Sequence, residues 1–202
     1  MAADPPDLRT VRAAAVVLAA GSSKRLGRPK QLLPFRGATL LDATVTRVRS
    51  FDLLQTVVAV GGAAPEVRAT VSLDGCTIVD SVHHTEGCSS SIVASLAALD
   101  PSIDGFLLFL GDQPDIASET VTALLEAAPQ CEIAVVDYRD GTGHPFWFSR
   151  STFPALAELH GDKAVWKLLE SGRFESTRVA IDSPVPLDVD TWDDYERLLA
   201  GG

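Results

Sequence analysis

Four cations crowd one short loop. Lys24, Arg25, Arg28 and Lys30 stand within seven residues of one another, in the stretch LAAGSSKRLGRPK from Leu18 to Lys30. The chain carries a net charge of −10 on 202 residues and has only 17 lysines and arginines, so this loop concentrates a scarce resource. An apolar run from Ala13 to Ala20 leads into it. A strand that ends in a glycine-and-serine loop bearing Lys and Arg suits an anionic ligand, and a polyphosphate best of all. Gly21 supplies freedom for a tight exit from the strand, Ser22 and Ser23 add hydroxyl and backbone donors, and Arg25 and Lys30 can reach a triphosphate. Two common phosphate motifs are excluded. A P-loop needs Gly-x4-Gly-Lys-Ser/Thr, whereas five residues separate Gly21 from Gly27, and Arg28 follows. The dinucleotide fingerprint fails because Ser23 stands where its second glycine belongs.

Further clusters bear on the chemistry. Gly111-Asp112-Gln113-Pro114 follows the apolar run Phe106–Leu110, and a carboxylate at the end of a central strand lies where open α/β sheets bind ligands. Asp112 there suits Mg²⁺, which takes one or two carboxylates and fills its shell with phosphate oxygens; it also suits a simple turn cap. In Glu86-Gly87-Cys88-Ser89-Ser90-Ser91, small polar residues at a helix start offer backbone N–H groups and hydroxyls to a ligand, or serve as caps. Gly143-His144-Pro145 sets a histidine in a turn before an aromatic strand, in a structural or a functional role. Leu187-Asp188-Val189-Asp190-Thr191 offers Asp190 as a second Mg²⁺ carboxylate, with Asp190 and Thr191 equally suited to cap the closing helix. His83, His84 and His160 lack metal-ligand spacing and read as surface residues.

Strands and helices must hold these groups in place. Apolar runs predict strands over Ala14–Ala20, Thr56–Val60, Thr77–Asp80, Gly105–Leu110, Glu132–Asp137, His144–Phe148 and Ser176–Ile181. Helical spacing marks Leu40–Arg49, Glu66–Ser72, Ser90–Leu99, Glu119–Ala127 and Trp192–Leu199, with further helical packing at Leu156, Leu159, Val165, Leu168 and Leu169. Several strands are apolar on both faces, as in a parallel sheet covered by helices. The pattern predicts an α/β sandwich with right-handed crossovers, formed by a single domain over residues 13–200. Its nucleotide half covers about 13–115 and its acceptor half about 116–200. The Pro- and Asp-rich residues 1–12 are expected to be disordered.

Composition excludes several classes. Net negative charge repels nucleic acid and anionic membranes. Cys76, Cys88 and Cys131 are odd in number and form no CxxC, which fits a reducing cytoplasm. Arg9, Arg12 and the apolar run resemble a short signal peptide, but Asp4 and Asp7 sit in its would-be basic region, so a buried first strand is the better reading. No apolar stretch approaches the roughly 20 residues of a membrane span.

Together these motifs resemble the molybdenum-cofactor nucleotidyltransferases, and their molybdopterin cytidylyltransferase branch in particular. The family pattern LAAGxSxRMGxxK–LLP, Gly-Asp-x-Pro, Gly-His-Pro and DxDTP stands here as LAAGSSKRLGRPKQLLP (18–34), GDQP (111–114), GHP (143–145) and DVDT (188–191). The resemblance spans residues 13–199. It implies a Rossmann-like nucleotidyltransferase fold with a mostly parallel mixed sheet. It also implies Mg²⁺-dependent transfer of CMP from CTP to the phosphate of molybdopterin, releasing pyrophosphate. In family terms Leu18, Ala19, Ala20 and Gly21, with Gly87 to Ser91, hold base and ribose, while Arg25 and Lys30 hold the triphosphate. Asp112 carries Mg²⁺, and His144 sits on the acceptor side. Arg25-x4-Lys30 lacks the extra aspartate of the guanylyl branch. Leu26 replaces the usual methionine and Trp192 the usual proline. GDKAVWKLL (161–169) replaces a Gly-Asp-x-Gly-Ala-Arg stretch, so Trp166 stands in for an acceptor-side cation, with Lys163 and Lys167 near it in sequence. The resemblance further implies a cytoplasmic monomer that serves a molybdoenzyme or its chaperone. Three other readings compete. They are transfer to another phosphorylated acceptor such as a sugar phosphate, a non-catalytic nucleotide or cofactor carrier, and an oxidoreductase; the last is disfavoured by the missing fingerprint and the lack of a redox cysteine pair.

Overall fold

The computed structural model describes residues 11–83, 87–161 and 163–201. The expected disorder of 1–12 therefore falls almost wholly outside them, as do His84, Glu86 and Asp162. Nine strands and seven α-helices are formed by the described residues. The first strand, β1 (Ala13–Ala19), shows why the sheet is covered on both sides. Ala13, Ala15, Val17 and Ala19 pack into one apolar cluster and Ala14 and Val16 into another, as the two-residue period of a strand requires.

The next segment forms a two-residue hairpin, β2 (Pro34–Phe35) and β3 (Ala38–Thr39), which the sequence pattern did not announce. From it starts α1 (Leu40–Arg49), with the bounds its spacing predicts; Thr39 and Asp42 form a reciprocal capping box. Then follow β4 (Gln55–Val60), α2 (Ala64–Thr70), β5 (Thr77–Asp80), α3 (Cys88–Leu96), β6 (Gly105–Leu110) and α4 (Ser118–Ala127). The second half contributes β7 (Ile133–Tyr138), β8 (Gly141–Ser149), α5 (Phe153–Ala157), α6 (Ala164–Glu170), β9 (Ser176–Ile181) and α7 (Trp192–Ala200). Helix α3 starts and stops earlier than the predicted Ser90–Leu99, because Gly87 rather than a serine occupies its N-cap position.

Seven strands form one sheet in the order β5-β4-β1-β6-β8-β7-β9. Strand β8 alone runs against its neighbours. Helices α1, α2 and α4 cover one face and α3, α5 and α6 the other. This is the mostly parallel, mixed α/β sheet expected. From β1 the chain builds outward to β4 and β5, then returns to place β6 on the other side of β1. Such a reversal opens a crevice beyond the C-terminal ends of the two strands, the usual ligand position in open α/β sheets. A third apolar cluster (Leu26, Leu33, Phe35, Leu40, Val189 and Leu198) ties the loop after β1 to the hairpin and to the chain leading into α7.

Candidate active site

Beyond the ends of β1 and β6 lies a cleft of about 520 Å³, lined by residues 18–26, Lys30, Gln31, Gly87, Cys88, Ser91, Leu110, Gly111, Asp112 and residues 188–190. Of the sites read from sequence, Leu18, Ala19, Ala20, Gly21, Ser22, Ser23, Arg25, Lys30, Gly87, Ser91, Asp112 and Asp190 all face it. Arg28 and His144 are not among its lining residues.

The loop is braced by its own polar groups. Ser23 adopts a left-handed φ of 47°. Its hydroxyl accepts the Lys30 amide at 3.0 Å and its carbonyl accepts the Leu26 amide at 3.0 Å, so Ser23 folds the loop. Buried Gln31 donates to the carbonyls of Ala19 at 2.7 Å and Gly21 at 3.0 Å, pinning the strand exit from below. The sequence reading gave Gln31 no role. Gly21 corrects an expectation: its φ is not left-handed, and a Cβ there would meet nothing within 4 Å, so no tight exit demands glycine. Gly111, which also lines the cleft, is the crowded one of the two. A Cβ there would come within 3.0 Å of both the Ala19 Cβ and the Leu18 carbonyl, so its absence lets the β6 end lie against β1 and sets Asp112 at the cleft.

An ion network fills the floor of the cleft. Lys30 Nζ lies 2.6 Å from Asp112 and 3.2 Å from Asp190, and Arg25 donates to the other Asp190 oxygen at 2.8 Å. Burial alone would lower the Lys30 ammonium; pairing with Asp112, then Asp190, outweighs it and holds its pKa above the usual lysine value. Asp112 is buried and also accepts the Val189 amide at 3.0 Å. Next to it Gln113 donates to the Pro186 carbonyl at 3.0 Å and to Asp188 at 2.6 Å. Adjacent residues thus grip the 186–190 segment, and Val189, wholly buried in the third cluster, fixes its register. Desolvation, with Asp112 and Asp190 close by, pushes the Asp188 carboxyl up to about 6 against the opposing pull of Lys30, although its outer edge remains exposed.

The structure also settles which residue caps α7. Thr191 forms a capping box with Asp194, which leaves the Asp190 carboxylate free to face Lys30 and Arg25. Asp112 and Asp190 suit a hard divalent cation that completes its shell with phosphate oxygens and water. Among the described residues, no group of three or more His, Cys, Asp or Glu could hold a metal ion. At the far wall, α3 begins at Gly87 with no side-chain cap. Ser90 turns back to the Gly87 carbonyl, and buried Ser91 donates to Ser81.

His144 lies on β8, outside the cleft lining. The antiparallel pairing of β8 with β6 ends at Leu108 and Phe146, two residues short of His144. Its imidazole stacks on Phe146 at 4.3 Å, and Trp166 of α6 meets Phe146 edge-on at 5.6 Å. Desolvation lowers the His144 pKa to about 4, despite a partly exposed edge.

Paired cations and carboxylates thus meet in a crevice at the topological switch point of the sheet, where open α/β sheets take their ligands. The chain matches the MobA-like NTP transferase domain over residues 15–178, and it belongs to that family. Over 194 residues it is 31% identical to the nicotine blue oxidoreductase of Paenarthrobacter nicotinovorans, covering 91% of this chain and 95% of that one. The purine catabolism protein PucB of Bacillus subtilis is 28% identical over 198 residues, at 91% and 94% coverage. Among solved structures, the manganese complex of Rv0371c from Mycobacterium tuberculosis superposes with a TM-score of 0.85 at 48% identity, covering 95% of this chain and all of that one. This chain is a nucleotidyltransferase, with the mostly parallel α/β fold of that class. No helix among the described residues is long and apolar enough to cross a membrane.

Proposed function

We propose that the cleft binds CTP and transfers CMP to the phosphate of molybdopterin, releasing pyrophosphate. One observation carries this reading: Lys30, Arg25, Asp112 and Asp190 converge at direct ion-pair distance on the switch point of the sheet. Base and ribose would lie between Leu18–Gly21 and the Gly87–Ser91 end of α3. Lys30 and Arg25 would neutralise the triphosphate, and Asp112 and Asp190 would hold Mg²⁺. When bound, the metal supplies charge neutralisation across the phosphate oxygens. The acceptor phosphate is already a nucleophile. Its oxygen attacks the α-phosphorus, the bond to the α–β bridging oxygen breaks, and pyrophosphate leaves with the electron pair. The protein's share is alignment and electrostatic stabilisation, and no activated Ser or Cys is required. His144 would face the acceptor, as the resemblance implies.

A second reading keeps the transfer and changes the acceptor to another phosphorylated metabolite. Trp166 favours it, because an indole packs against Phe146 where the resemblance calls for a guanidinium. The relative named as an oxidoreductase raises a third class. None of Cys76, Cys88 and Cys131 forms a disulfide and the dinucleotide fingerprint is absent, which argues against it here. The test is to supply each of the four nucleoside triphosphates with Mg²⁺ and molybdopterin and to measure pyrophosphate and the nucleotide adduct. CTP-dependent turnover that disappears in Asp112→Ala and Lys30→Ala supports the first reading. Turnover only with a different phosphorylated acceptor moves the assignment to the second. Tight binding with no pyrophosphate release leaves a carrier.

A further inference from the structure

The cleft is charge-balanced before any ligand enters. Its lining holds three cations, Lys24, Arg25 and Lys30, and three carboxylates, Asp112, Asp188 and Asp190. Lys30 is the one cation that spans two carboxylates. Its ammonium sits at 2.6 Å from Asp112 and 3.2 Å from Asp190, the two groups fit to take a divalent cation. Neither a metal nor a triphosphate can use this site without rearranging it. A free metal competes with a partly buried ammonium for the same oxygens, and a free triphosphate finds Lys30 already neutralised. Together they resolve both conflicts, since the metal takes the carboxylates and the released ammonium takes a phosphate.

We propose that Lys30 is a resident counter-ion, a stand-in for the divalent cation, which the metal displaces onto the triphosphate so that metal and nucleotide bind as a coupled pair. This rests on the reading of Asp112 and Asp190 as metal carboxylates and goes beyond it. It assigns Lys30 two sequential partners and makes metal affinity depend on the presence of a polyphosphate. Arg25 cannot serve the same purpose, because its side chain is 69% exposed and meets Asp190 alone.

The experiment titrates Mn²⁺ into the full chain, by electron paramagnetic resonance or calorimetry, with and without inorganic tripolyphosphate. Wild type, Lys30→Met and Lys24→Met are compared, with Asp112→Asn as the control without a complete site. Lys24 lines the same cleft, so its loss reports the bare field effect of removing one positive charge. Without polyphosphate, Lys30→Met should bind Mn²⁺ about tenfold more tightly than wild type, within the usual span of coupling between two ligands, and well beyond the change in Lys24→Met. Tripolyphosphate should raise Mn²⁺ affinity in wild type beyond the value expected for chelation alone and lose that excess in Lys30→Met. An equal rise in Lys24→Met and Lys30→Met overturns the proposal, as does unchanged Mn²⁺ affinity in Lys30→Met. Thermal unfolding confirms that each variant is folded. If Mn²⁺ binds wild type and Asp112→Asn alike, the metal-site reading itself fails, an outcome separate from failure of the exchange.

Discussion

Two regions of the molecule are built from different materials. In the cleft, proposed here to take the nucleotide, charged groups are locked by direct contacts: Lys30 between two carboxylates, Ser23 and Gln31 bracing the loop, Gln113 gripping the 186–190 segment. On β8 and α6, proposed here to face the acceptor, stands an aromatic run of His144, Phe146 and Trp166, with Lys163 and Lys167 exposed on or beside α6. The first half specifies its ligand by charge placed at set distances, which tolerates little change in residue type. The second offers apolar surface only at the exposed edge of Trp166, since Phe146 is wholly buried beneath it. On the proposed function, a nucleotide's phosphate chain suits the former and a less charged part of the acceptor the latter.

The sharpest way to break this comparison is at Asp112. Asp112→Ala should lower pyrophosphate release by about 10³-fold, since it removes a carboxylate to which Lys30 and the 186–190 segment both bind. A loss of less than tenfold would mean that the charged half is not the reacting half. Next in size is Val189→Ala. This wholly buried valine should cost about 2 kcal/mol in denaturant unfolding. It should also lower turnover, because Asp190 is positioned by its neighbour's packing. A variant that loses stability and keeps full turnover would show that Asp190 needs no such seat.

Titration separates the halves by sign. His144 titrates at about 4 when folded against 6.5 ordinarily, so the unfolded chain takes up the proton first. Its contribution is complete above pH 6.5 and is lost as pH falls toward 4, by about 1.5 kcal/mol after allowance for the partly exposed edge. Asp188 runs the other way. Its folded value of about 6 lies above the ordinary 3.8, so the folded chain holds the proton longer and stability declines as pH rises through that window. Unfolding curves of His144→Gln and Asp188→Asn between pH 4 and 7 should each depart from wild type with opposite slopes; slopes of the same sign would undo the assignment. The smallest effect belongs to Trp166→Arg. Loss of its edge-on contact with Phe146 should cost about 1 kcal/mol. The KM for a phosphorylated acceptor should shift while that for the nucleotide stays within twofold of wild type, roughly the least change worth reading as a difference in binding. A parallel shift in both would show that the halves are coupled.

Much of the nucleotide half was legible because its signals are local. The runs of β5 and β6 and the spacing of α1 carry their own bounds. The LAAG loop and the Gly-Asp-x-Pro turn each sit at the end of a strand the sequence marks. What was missed depends on contacts across the chain. No local pattern says that β8 enters the sheet against its neighbours, that Gln31 reaches back to Ala19, or that Gln113 ties down Asp188. Gly21 drew attention as a glycine in a loop, whereas the packing limit fell at Gly111, which depends on the approach of two strands. The choice between Asp190 and Thr191 as helix cap was open in the sequence, since either side chain can accept the bond. Only the side-chain geometry around Asp194 resolves it.

One consequence concerns timing. Asp190 lies 160 positions beyond Lys30, in a segment held by Asp112, Gln113 and one buried valine. A chain made from its N-terminus folds the loop, the hairpin and β6 before that segment exists. Until residue 190 arrives, Lys30 has only Asp112 to pair with and the second carboxylate is missing. Competence therefore comes last in the life of the nascent chain, because the second carboxylate of the network is among the last residues made.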